Sequence, residues 1–137
     1  MENEHDAYKP AQIAALIESA GVAKARLPFG QMLTLAVLAG AFIGFGGAAY
    51  LMVMTGVEPT GPAKLLGGVV FSLGLILCIV GGAELFTGNA LMVMAAVDGK
   101  IRPTELLRNW GVVYVGNAIG ALGLAAAFWA SGMLALP

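Results

Sequence analysis

From Leu65 to Val97 the chain runs 33 residues with one charged side chain, Glu84. No other feature limits the possible folds as much. About 20 apolar residues cross a hydrocarbon core of roughly 30 Å, and an unbroken helix of this length would rise about 50 Å. The segment must tilt steeply or split. Gly81-Gly82-Ala83-Glu84-Leu85-Phe86-Thr87-Gly88-Asn89 decides for splitting. Glycine loses the most backbone entropy on entering a helix, and an acid at mid-bilayer costs about 2.5 to 3.5 kcal/mol. Irregular backbone at membrane depth survives only where it is buried in protein or lines a watery path. The stretch therefore predicts a broken membrane helix whose break is the working part.

Composition agrees with a membrane protein. The 137 residues are 59% hydrophobic and 11% charged, whereas globular domains carry about 25% charged residues. Twenty glycines suit closely packed membrane helices. A net charge of −1 gives no basic surface for nucleic acid. The single cysteine, Cys78, lies in the apolar run and reads as a small buried hydrophobe. The first apolar run follows about 30 mainly polar residues, the wrong order for a cleavable signal peptide.

In chain order, Met1–Asp6 is a polar tail including His5, read as disordered. Pro10 opens a short helix in which Ile13, Leu16, Ile17 and Ala20 make an amphipathic stripe. That helix is expected on the membrane face or against the protein's own mouth. Residues 1–30 are thus a tail and 31–137 a membrane domain, all-α, with spans over about 31–55, 65–97 and 107–136 and the second broken at 81–89. Each outer span carries a GxxxG, Gly40 to Gly44 and Gly116 to Gly120, which supports close helix packing. Thr104 is placed to cap the third span, with Glu105 in its first turn. Trp110 and Tyr114 sit where aromatic belts lie. Lys9, Lys24, Arg26, Lys100, Arg102 and Arg108 fall on one side and only Lys64 on the other. That bias puts the N-terminus in the cytoplasm of an inner or plasma membrane and argues against a dual-topology transporter. Three spans leave Pro137 on the far side, and with no polar tail there a longer protein is expected to continue.

On spacing alone, Phe71 and Leu75 read as helix packing, Leu85 and Phe86 as core, and Thr87 as the partner of a freed carbonyl. Asn89 and Asn117 read as interhelical hydrogen-bonders. Glu84 has the wrong sign for lining an anion path. It is expected to face protein and hold the broken backbone by accepting N–H bonds, or to stay protonated. No His, Cys or carboxylate cluster stands at ligand spacing, so neither an enzyme, a metal site nor a cofactor is expected.

Phe71-Ser72-Leu73-Gly74-Leu75-Ile76-Leu77 followed by Gly82-Ala83-Glu84-Leu85-Phe86-Thr87-Gly88-Asn89 resembles the signature of the formate/nitrite transporter family. Ala39-Gly40-Ala41-Phe42-Ile43, Asn109-Trp110, Tyr114, Gly116-Asn117 and Gly120-Ala121 extend the likeness to the end of the chain. The resemblance implies an aquaporin-like homopentamer with an anion pathway through each six-helix protomer. Each protomer holds two inverted three-helix repeats whose second helices are broken, a recurrent mark of substrate sites. By position, Phe71 and Leu75 match the cytoplasmic constriction, and Leu85 and Phe86 the narrow part and outer constriction. Thr87 matches a hydroxyl facing the pathway's central histidine. That histidine and its accompanying lysine belong to the second repeat, and His5 matches neither.

The chemistry suits small anions. Apolar rings such as Phe71, Leu75 and Phe86 exclude water and slow leakage. Thr87 can donate a hydrogen bond to a carboxylate or nitrite oxygen, and half-helix N-termini add positive potential. The expected function is passage of small monovalent weak-acid anions, formate first, with nitrite, hydrosulfide and lactate open. The mode is a channel or a proton-coupled transporter. The rival reading is a non-transporting half-repeat, either a truncated remnant or an assembly or regulatory partner.

Overall fold

A computed structural model describes residues 8–132, so His5 and the end of the third expected span lie outside the described residues. Among the described residues, three helices have the length and apolarity to cross a membrane: α2 (Phe29–Met54), α3 (Gly61–Val80) and Pro103–Ala130. Before them lies α1 (Pro10–Ala25). Between the last two, the short segments α4 (Phe86–Asn89), a 3-10 turn (Ala90–Met92) and α5 (Val93–Val97) follow one another, and Pro103–Ala130 is then α6. The fold is all-α among the described residues, with the second expected span divided at its glycines.

The division has a definite geometry. Gly82 sits at φ +61°, a left-handed conformation that costs a residue with a Cβ about 1–2 kcal/mol. Beyond it, the Ala83 N–H donates to the Cys78 carbonyl at 2.9 Å and the Gly82 N–H to that of Ile79 at 3.3 Å. These two bonds close the last turn of α3 and satisfy carbonyls that lipid could not. The chain then runs extended, Leu85 having φ −98° and ψ 129°, before α4 begins.

α2 is the central helix, packed on α6 along one side and on α3 along the other. Glycine permits both contacts. A Cβ on Gly40 would lie 2.0 Å from the Asn117 carbonyl oxygen, and one on Gly120 would lie 1.9 Å from that of Val37. The two GxxxG patterns therefore face each other, backbone to backbone. Most of α3 is left uncovered by this chain: Leu65, Val69, Ile76, Ile79 and Val80 are all exposed. A helix apolar all round suits a hydrocarbon or protein surround rather than water.

Several expectations are corrected. α2 starts at Phe29 and α3 at Gly61, earlier than composition suggested, because Pro28 and Pro62 suit helix starts. Thr104 does not cap α6. Arg102 is the N-cap, Pro103 takes the first position, and Glu105 Oε2 accepts the Arg102 N–H at 2.7 Å. In the apolar stripe of α1, Ile13 and Leu16 are 45% and 51% exposed and Ile17 is half-buried. Gly21 and Ala25 are the buried positions, because small residues let α1 approach α5 closely. A Cβ on Gly21 would come within 3.2 Å of the Ala95 Cβ. Lys100, in the loop before α6, bonds Asp98 at 2.9 Å and also Glu18, which ties α1 to that loop.

Candidate functional site at the helix break

The break is held by polar side chains from three directions. Glu84 is 4% exposed, and Asn89 and Asn109 are fully buried. Glu84 Oε1 accepts from Lys24 Nζ at 2.7 Å, and its Oε2 accepts from Asn89 Nδ2 at 2.7 Å. Asn89 Oδ1 takes a second bond from Lys24 Nζ at 2.9 Å, while its Nδ2 also donates to Asn109 Oδ1 at 2.8 Å. Asn109 Nδ2 reaches back to the Lys24 carbonyl at 3.3 Å. A helix from the tail, the break itself and α6 thus meet in one network. Every buried side-chain nitrogen and oxygen among the described residues has a partner, as buried polar groups require.

Glu84 faces protein, but its carboxylate accepts no backbone N–H: an ammonium and an amide take both oxygens. The backbone is held otherwise. The Glu84 N–H donates to the Leu35 carbonyl at 3.2 Å, and the Asn117 side chain bonds both the Glu84 carbonyl and the Phe86 N–H. The Trp110 indole donates to the Asn89 carbonyl at 2.9 Å, so Trp110 braces the start of the second half-helix rather than serving only as a belt residue. The Phe86 ring stacks edge-on against Trp110 and Tyr114, with centroids 6.2 and 5.6 Å apart. It also packs beside Met32, Ala36 and Val113.

Beside the network lies an open groove of about 470 Å³. Leu75 from α3, Leu85 and Thr87 from the break, and Lys24 and Asn89 from the network line it. Three of the five expected path residues therefore meet on one surface. Phe71 is outside the lining, exposed one turn before Leu75 on α3. Phe86 is also outside it, half-buried against α6. Of the polar pair expected at the break, Asn89 edges the groove and Glu84 lies behind it. Among the described residues, no three His, Cys, Asp or Glu side chains group so as to hold a metal.

Sequence reasoning missed Lys24, Asn109 and the double role of Asn117. In the sequence Lys24 stands out only as a charge that sets orientation. A buried acid in need of a cation was the available signal, and Lys24 is the basic residue closest to the first span that ends on a docked helix face. Nothing local marked Asn109 as a partner of Asn89.

Residues 11–136 match the family described as formate/nitrite transporter. The chain is 44% identical over 133 residues to the formate channel FocA of Escherichia coli K12, covering 96% of this chain and 47% of that protein. It is 37% identical over 121 residues to a probable formate transporter of Methanothermobacter thermautotrophicus, covering 85% of this chain and 44% of the relative. A solved structure described as an FNT family ion channel superposes with a TM-score of 0.83 at 22% identity, over 89% of this chain and 50% of its own, which shows the fold. The chain thus spans about half the length of the relatives it matches. With the family signature, the divided second helix and the fold all in agreement, this chain belongs to the formate/nitrite transporter family.

Proposed function

We propose that this chain forms half the wall of a transmembrane path for small monovalent weak-acid anions, with formate the first substrate and nitrite, hydrosulfide and lactate its competitors. The observation that carries the reading is the groove where Leu75, Leu85 and Thr87 converge beside a protein-held break. Apolar side chains there remove water from the anion, and the exposed Thr87 hydroxyl replaces one hydration contact. With α1 in the cytoplasm, Phe71 extends the apolar face of α3 toward its outer start, and Phe86, beside Met32 and Ala36, narrows the cytoplasmic side with its uncovered edge, the reverse of the ends the resemblance implies. Glu84 and Asn89 hold the break.

In this reading the protein is a channel or proton-coupled carrier and not an enzyme. It works as a homopentamer in the inner or plasma membrane, with α1 on the cytoplasmic side. The test is formate flux into proteoliposomes. Thr87→Val should lower it about tenfold, the scale of one hydrogen bond to a charged group, with unchanged assembly. Equal flux in both proteins would remove Thr87 from the path, and no flux in the parent would remove the function.

A further inference from the structure

One side chain holds both flanks of Leu85. Asn117 Oδ1 accepts the Phe86 N–H at 2.9 Å, and its Nδ2 donates to the Glu84 carbonyl at 2.9 Å. The second Nδ2 hydrogen goes to the Ala36 carbonyl of α2 at 2.8 Å. Both donors of the carboxamide are used. A donor and an acceptor side by side, set against an extended segment, reproduce what a neighbouring strand's backbone would offer. The Glu84 N–H meanwhile pairs with the Leu35 carbonyl of α2.

We propose that Asn117 is a positioning residue for the path, fixing where Leu85 and Thr87 stand. The inference rests on the proposed anion path and adds to it the element that sets the path's geometry. Leu85 and Thr87 follow α3 in the chain, yet their placement is governed by the contact between α2 and α6. Asn117 reaches the Ala36 carbonyl only because the helices nearly touch there: a Cβ on Gly116 would lie 2.5 Å from the Ala36 Cβ. Without the carboxamide, a carbonyl and an N–H would lose their partners at membrane depth, where water cannot replace them. The extended segment would then be free to relax, and Leu85 and Thr87 with it.

The test uses two isosteric variants of the full chain in membranes, with hydrogen exchange at the Phe86 amide as the readout. Asn117→Asp keeps the acceptor and should leave that amide protected. Asn117→Leu removes it and should speed exchange about tenfold or more. A residue that merely filled space would give the same rate in both, and that result would overturn the proposal. If Asn117→Leu does not fold, fast exchange in Asn117→Asp alone would still overturn it and slow exchange would support it. Formate flux is measured on the same preparations. Both variants should transport more slowly than the parent, because each leaves at least one of the Glu84 and Ala36 carbonyls without its Asn117 donor, and parental flux in both would overturn the proposal. A parent that carries no anion removes the transport reading, while the exchange rates still decide whether Asn117 sets the backbone at Leu85.

Discussion

Lys24 Nζ stands 2.7 Å from Glu84 Oε1, with the Glu84 side chain 6% exposed and that of Lys24 30% exposed. The pair joins residues 60 positions apart and explains how an acid is tolerated in an apolar run. Its counter-charge comes from α1, a helix outside the three spans, whose last turn ends beneath the break. The contact is therefore a device for assembly as well as for charge. The break can be completed only when α1 has docked, and α1 has a polar reason to dock there.

Removing one partner should cost far more than removing both. Lys24→Met leaves Glu84 buried without its cation, a loss of about 3 kcal/mol or more. In Lys24→Met with Glu84→Gln, the new amide can still bond Asn89 and no charge is stranded, so most of that loss should return. Thermal unfolding in detergent of the two singles and the double gives the coupling directly. Additive losses would mean that the pair contributes nothing.

The contact between α2 and α6 makes a second prediction. At Gly40 the obstacle to a Cβ is the Asn117 carbonyl, a backbone atom, so Gly40→Ala must push the helices apart. Overpacking of this kind costs about 1–3 kcal/mol, and it should also lower anion flux by pulling the Asn117 carboxamide from the break. Gly123→Ala, with nothing within 4 Å of its Cβ, is the control and should be neutral or mildly stabilising. Similar losses for the two would show that the close approach is unimportant.

Much of this architecture was legible because it rests on local cost. A 33-residue apolar run with a Gly81-Gly82 pair and an acid behind it does not favour one helix, and α3 does end at Val80. The facing GxxxG patterns were legible as packing surfaces for the same reason. Partnerships across the chain were not. Glu84 with Lys24, and Asn89 with Asn109, are set by how α1 and α6 dock, and no spacing rule links such positions. Periodicity marks an apolar face on α1 without saying what covers it, and Gly21 lies on the face that meets Ala95. Thr104 misled because Pro103 takes the first helical position, two before the start that a Thr104 cap would give.

The tether of α1 to the loop before α6 has a pH signature. Hydrogen bonds that the Lys100 ammonium donates to Asp98 first and then Glu18 hold it above its ordinary value of 10.5. A lysine raised in the folded state contributes stability fully below its unfolded value, and that contribution is lost as pH rises through the folded one. The clasp should therefore be intact at neutral and mildly alkaline pH and weaken only above 10.5. Titration of the Lys100 13Cε resonance should give a midpoint above the ordinary value, and Glu18→Gln should lower it. Lys100→Met removes the clasp at every pH, so α1 should be cleaved faster by added protease at pH 8 than in the parent. A parental midpoint at or below 10.5 would show that Lys100 is not held, and unchanged cleavage in Lys100→Met would leave docking to the Lys24–Glu84 pair and the packing of Gly21 and Ala25.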